Sequence, residues 1–158
     1  RPIHFDIAPP SGDSRGRGGG PAATAAPPGG SGRKTLGQKR VLLIEDEPNI
    51  AEAIRFILSR DGWIVSSHGD GADAVEVVRR ERPDVLVLDV MLPGRSGLDI
   101  LADLRADPRY HDLPVLVLSA AGQGSAREAA ERAGADRFIM KPFSNADILA
   151  SVRALAGA

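Results

Sequence analysis

The sequence predicts an α/β fold, a doubly wound parallel sheet of five strands with helices on both faces. Three observations carry this. Short apolar runs alternate with helical patterns five times between residues 40 and 158. Two of those runs, Val85 to Leu88 and Val115 to Leu118, are apolar throughout, as strands covered on both sides are. Aromatic residues make up only 4% of a chain that is 42% hydrophobic, so aliphatic side chains must fill the core.

The first strand is Val41-Leu-Leu-Ile44, and Ile50, Ala53, Ile54, Ile57 and Leu58 follow at the spacing of an amphipathic helix. Trp63 to Ser67 reads as the second strand. The second helix starts near Asp70, turns Ala74, Val75 and Val78 inward, and stops at Arg82-Pro83. After the third strand, Val85 to Leu88, a helix opened by Gly94 and Gly97 buries Leu98, Leu101 and Leu104. The fourth strand, Val115 to Leu118, precedes a small helix whose inner positions, Ala126, Ala129, Ala130 and Ala133, suit close packing but bury little surface. Gly134 is placed to cap that helix. Phe138 to Met140 is the fifth strand, and Ser144-Asn-Ala-Asp147 resembles a capping box opening a last helix with Ile148, Val152 and Leu155 inside. For a flavodoxin-like strand order of 2-1-3-4-5, ligands bind beyond the carboxyl ends of strands 1 and 3, where the order reverses.

Residues 1 to 38 differ in kind. They are rich in Pro, Gly, Ala and Ser, and such a segment cannot bury enough apolar surface to offset its ordering entropy. The expected organisation is therefore a disordered basic tail over residues 1–38, spanning roughly 35 Å end to end, and a folded domain over 39–158. Charge divides the same way: residues 1 to 40 carry seven basic against two acidic residues, +5, and residues 41 to 158 carry 13 against 19, −6. No aromatic residue is interleaved with the tail's charges from Arg15 to Arg40 to stack on a base, so a solvated tail is favoured over a nucleic-acid contact. Gly-Ser-Gly-Arg33-Lys34-Thr35 imitates a phosphate-binding loop, but Arg33 and Pro28 stand where that motif needs glycine. The chain has no cysteine, which excludes disulfides and thiolate-metal sites, and no membrane-length apolar stretch or secretory signal. The expectation is a soluble, cytoplasmic protein. The further expectation is that no output or DNA-binding domain is present.

The strand ends carry the chemistry. Glu45 and Asp46 follow the first strand, and Asp89 follows the third. Three carboxylates on neighbouring strand ends repel one another unless a positive charge sits among them, and a hard divalent cation such as Mg2+ supplies it. Helix capping alone is a weaker account, because it leaves Asp89 unexplained. Ser119 ends the fourth strand and Lys141 follows the fifth, placing a hydroxyl and an ammonium on the same rim. That combination suits a phosphoryl group. None of the three histidines is needed: His4 lies in the tail, and His68 and His111 read as solvated loop residues.

Taken in order, Val-Leu-Leu-Ile44-Glu45-Asp46-Glu47, Val-Leu-Val-Leu-Asp89-Val-Met-Leu-Pro-Gly94, Pro114-Val-Leu-Val-Leu-Ser119-Ala-Ala and Phe138-Ile-Met-Lys141-Pro-Phe143 resemble the receiver domains of two-component response regulators, of the stand-alone single-domain type. The resemblance runs from about Arg40 to Leu155. It implies that Asp89 is the phosphoacceptor, taking a phosphoryl group from a histidine kinase or a histidine phosphotransferase. It further implies that Asp46, Asp89 and the backbone carbonyl of Met91 hold Mg2+, with Glu45 acting through water, and that Ser119 and Lys141 bind the phosphoryl oxygens. A cis Lys141-Pro142 bond is also implied. Phe138 takes the position of the family's switch aromatic without a tyrosine hydroxyl, and the output face is the fourth helix, fifth strand and fifth helix. Met91 and Ala121, two residues beyond Asp89 and Ser119, are the positions that tune dephosphorylation, and neither side chain can orient a water. Such a module takes part in its own phosphoryl transfer and autodephosphorylation but is not a turnover enzyme. Two other readings compete: a receiver-fold adaptor that works without phosphorylation, and a phosphatase with an aspartate nucleophile, which would need a second acid where Met91 stands.

Overall fold

In the computed structural model, residues 39–120 and 125–157 are described. Five strands, β1 (Arg40–Ile44), β2 (Ile64–His68), β3 (Val85–Asp89), β4 (Val115–Ala120) and β5 (Arg137–Lys141), alternate with five helices: α1 (Pro48–Arg60), α2 (Ala74–Glu81), α3 (Gly97–Ala106), α4 (Ala126–Ala133) and α5 (Asn145–Leu155). The strands pair in parallel in the order β2-β1-β3-β4-β5, as expected. The chain steps outward from β1 to β2, crosses back to β3 and then proceeds the other way, so the carboxyl ends of β1 and β3 border the crevice where ligands of such sheets bind.

Alternation along each central strand divides the core. Val41, Leu43, Val85, Val87, Leu116 and Leu118 pack against Ile54 and Leu58 of α1 and Ile148 and Val152 of α5. Leu42, Ile44, Leu86, Leu88, Val115 and Val117 point the other way, towards α2, α3 and Ala130 of α4. Both faces of β1, β3 and β4 are thus dry, which is why those strands read as unbroken apolar runs. The edge strands β2 and β5 are only partly covered, and their sequences are correspondingly mixed.

The helix ends follow local chemistry. Ser144 and Asp147 form the expected capping box, and Gly134 closes α4 in the left-handed region. Arg82 ends α2 with φ 47, a conformation costing about 1 kcal/mol for a residue with a Cβ.

Several inward assignments shift. Ala53 is exposed, because the apolar stripe of α1 runs through Ile54, Ile57 and Leu58. In α2 Val77 is buried and Val75 half-buried, and the helix starts at Ala74, since Asp70 instead closes a turn by accepting the Ala72 N–H at 2.7 Å. In α3 Ile100 is fully buried and Leu98 partly so, while Ala129 and Ala133 of α4 are half-buried. His68 is the clearest correction: it is the last residue of β2, not a solvated loop residue, and only 3% exposed. Its neighbour in register is Ile44, so the sheet continues one residue further than the Gly69-Asp-Gly punctuation suggests. His111 is exposed, as expected.

Candidate functional site

Each candidate side chain stands at a strand's carboxyl end. Glu45 and Asp46 leave β1, Asp89 is the last residue of β3, Ser119 lies near the end of β4 and Lys141 ends β5. Glu45 and Asp89 are buried and Asp46 is exposed, and one carboxylate oxygen from each lies within 4.8 Å of the others. The Lys141 ammonium crosses the end of β4 to donate to Glu45 Oε2 at 2.9 Å and to Asp89 Oδ2 at 3.2 Å. The remaining oxygens are held by the backbone: Glu45 Oε1 accepts from the Glu47 N–H at 3.1 Å and Asp89 Oδ1 from the Met91 N–H at 3.3 Å.

Glu45 therefore belongs to both earlier accounts, since it ties down the entry to α1 and faces the rim. Glu47 is the N-cap of α1, but its side chain makes no capping bond. Met91 puts its side chain into solvent, 61% exposed. Phe138 is half-buried, paired in register with Val117 and packed against the core layer beneath α2, α3 and α4. Lys141-Pro142 is cis. Ala121 lies outside the described residues.

The electrostatics describe a site short of positive charge. Burial pushes the Glu45 carboxyl up to about 7 and Asp89 adds to the rise, against the hydrogen bonds from Lys141 and Glu47. For Lys141, burial works against the ammonium, yet its bonds and attraction to Glu45 and Asp89 outweigh this and raise it. One ammonium thus faces three acids. A divalent cation with hard oxygen ligands fits this donor set, and among such ions magnesium keeps most of its water while binding one or two carboxylates.

Ser119 supplies a second indication. Its side chain is fully buried, and its Oγ has no hydrogen-bond partner among the described residues. Leaving a buried hydroxyl unpaired costs about 1–3 kcal/mol, so an oxygen that accepted from it there would be stabilised. Asp89 pairs with Leu118 in register, which puts Ser119 one step beyond the acid on the neighbouring strand.

Sequence reasoning missed two parts of this rim. A Cβ on Gly97 would lie 2.0 Å from the Asp89 carbonyl oxygen, so α3 starts directly on the backbone of the acid and only glycine fits there. His68 also touches the site, because its carbonyl accepts the Glu45 N–H at 3.0 Å. The Gly94/Gly97 pair was the available signal for the first, and nothing local pointed to the second.

The model of the response regulator receiver domain matches residues 41–153. The chain belongs to that family. Over 115 residues it is 45% identical to TcrX of Mycobacterium tuberculosis, covering 73% of this chain and 48% of that protein. To the response regulator MprA of Mycobacterium leprae it is 44% identical over 116 residues, 73% of this chain and 50% of that protein. The chain thus spans about half the length of the curated relatives it matches. Among solved structures, the receiver domain of the sensor histidine kinase PA1611 from Pseudomonas aeruginosa superposes with a TM-score of 0.70 at 28% identity, covering 77% of this chain and 99% of that one. It holds a magnesium ion coordinated in its active-site cleft. The fold and the two-component setting of this receiver domain are thereby established. Among the described residues no helix is long and apolar enough to cross a membrane.

Proposed function

We propose that this receiver domain, comprising residues 39–158, is switched by phosphorylation of Asp89, with a histidine kinase or histidine phosphotransferase as donor. The Ser119 hydroxyl, buried without a partner among the described residues and on the same rim as the Lys141–Asp89 pair, carries this reading, because a phosphoryl group on Asp89 offers oxygens that can accept from both Ser119 and Lys141. Asp46, Asp89 and the Met91 carbonyl would hold magnesium, with Glu45 acting through water, and the bound ion would supply positive charge against the transferring group. An oxygen of Asp89 attacks phosphorus, the phosphorus–nitrogen bond of the donor's phosphohistidine breaks, and the imidazole leaves with the bonding electron pair. Lys141 and Ser119 bind the equatorial oxygens, and the Met91 N–H keeps the Asp89 carboxylate oriented.

Binding the phosphoryl group draws Ser119 and Lys141 towards Asp89, and Phe138 repacks behind Ser119 without a hydroxyl to guide it. The output is then read on α4, β5 and α5 by a protein partner. Here a groove lined by Arg127, Glu131, Arg137, Phe138 and Ser151 already exposes both charge signs. The exchange takes place in the cytoplasm, consistent with a sequence without cysteine. Intact-mass measurement after incubation with acetyl phosphate and magnesium tests the assignment. One added phosphoryl group on the wild type and none on Asp89→Ala is expected; no gain on the wild type would favour a phosphorylation-independent adaptor.

A further inference from the structure

The corrected position of His68 leads to a part of the molecule that the phosphoryl chemistry does not use. His68 Nε2 lies 2.6 Å from Asp73 Oδ1, joining an imidazole buried at the end of β2 to a carboxylate that is about half exposed. Asp73 is the N-cap residue of α2, yet its side chain makes no capping bond. Its carboxylate is turned back onto β2 instead, which fixes the turn between Gly69 and Asp73 at both ends.

That turn is pressed against the loop after Asp89. Gly71 donates its N–H to the Pro93 carbonyl at 2.9 Å. A Cβ on Gly71 would lie 2.3 Å from the Arg95 carbonyl oxygen, and a Cβ on Gly94 would lie 2.7 Å from Asp70 Oδ1. The two loops therefore meet backbone on backbone at Gly71, while at Gly94 the Asp70 and Ala72 side chains press directly on the backbone of the β3–α3 loop. Gly97 closes the other end of the same loop through its N–H bond to the Val90 carbonyl at 2.9 Å. Met91 sits between these two restraints, two residues before Pro93 and one after Val90.

We infer that His68 and Asp73 are positioning residues for the magnesium site: their hydrogen bond holds the β2–α2 turn against the β3–α3 loop and so sets where the Met91 carbonyl stands. This rests on the assignment of Asp46, Asp89 and the Met91 carbonyl as the ion's ligands. The chain of contact is continuous, from His68 through Asp73 to Gly71, from Gly71 to Pro93, and along the backbone to Met91. A carbonyl ligand has no rotamer of its own, so its aim is decided by the loop that carries it.

Calorimetric titration of the full chain with magnesium chloride tests this, at a temperature where every variant is folded. Asp73→Ala is expected to weaken magnesium binding about tenfold, as loss of an outer-shell partner commonly does, and to speed hydrogen exchange at the Gly71 amide. Asp73→Asn, which keeps an acceptor for His68, is expected to restore both. Glu76→Ala, on the same helix but outside the contact, is expected to bind as the wild type does. Wild-type affinity in Asp73→Ala, or equal loss in Asp73→Asn, would overturn the positioning role. Absence of magnesium binding by the wild type, or binding unchanged in Asp89→Ala, would overturn the ligand assignment and this inference with it.

Discussion

Lys141 and Glu45, 96 residues apart in sequence, meet at 2.9 Å across the ends of two intervening strands. The bond spans β5 to β1 and closes the rim on the side away from β2. A ligand that takes up the Lys141 ammonium must therefore compete with Glu45 for it. Removing the ammonium by Lys141→Met leaves two buried acids facing each other. We expect a loss of about 2 kcal/mol at pH 8, shrinking below pH 6 as Glu45 takes up a proton, read from urea unfolding at the two pH values.

Glu45 gives the rim a pH dependence of definite sign. Its folded pKa of about 7 lies above the ordinary value of 4.5, so between these values the folded chain holds a proton that the unfolded chain has lost. Stability contributed by this group is present below about pH 4.5 and is lost as pH rises through about 7, on the order of 3 kcal/mol in all. Unfolding in the presence of a chelator should show this decline in the wild type and a flatter profile in Glu45→Gln.

Magnesium affinity should run the other way. A cation favours the ionised form of Glu45, so binding below pH 7 must displace a proton and weakens as pH falls, by up to about tenfold per pH unit. Titrations in buffers of different ionisation enthalpy will count the released proton, and Glu45→Gln should release none.

Ser119→Ala separates stability from competence. Deleting a buried hydroxyl that has no partner among the described residues should stabilise the metal-free domain by about 1 kcal/mol, while phosphorylation by acetyl phosphate slows. A destabilised variant would show that the hydroxyl already has a partner.

Met91 bears on how long the signal lasts. Its exposed side chain stands two residues from Asp89 and offers nothing to orient an attacking water, so the aspartyl phosphate should decay slowly. Met91→Asn should hasten the decay, and an equal or slower rate would sink the idea.

Much of this was legible because the deciding forces are local. The runs Val85 to Leu88 and Val115 to Leu118 declare themselves as covered strands by composition alone, and Asp89 follows directly from where the first one ends. The Ser144–Asp147 capping box needs only four residues to form. What escaped depends on distant partners. His68 precedes Gly69-Asp-Gly and so reads as loop, yet its burial is decided by Ile44 on one side and Asp73 on the other. Ile100 joins Leu101 and Leu104 on the buried face of α3 while Leu98 is only partly covered, a rotation settled by what the helix packs against rather than by its own sequence. The Lys141–Glu45 bond was invisible for the same reason: each residue was expected on the rim, but their pairing is a property of the assembled sheet.

The most direct test is a crystal structure of the chain with magnesium and beryllium trifluoride, a phosphoryl mimic. The account predicts the mimic on an Asp89 oxygen, the ion bound by Asp46, Asp89 and the Met91 carbonyl, and both Ser119 Oγ and Lys141 Nζ donating to fluorine, with the Lys141–Glu45 bond broken. A mimic bound elsewhere, or a Ser119 hydroxyl still without a partner and Lys141 still on Glu45, would contradict it.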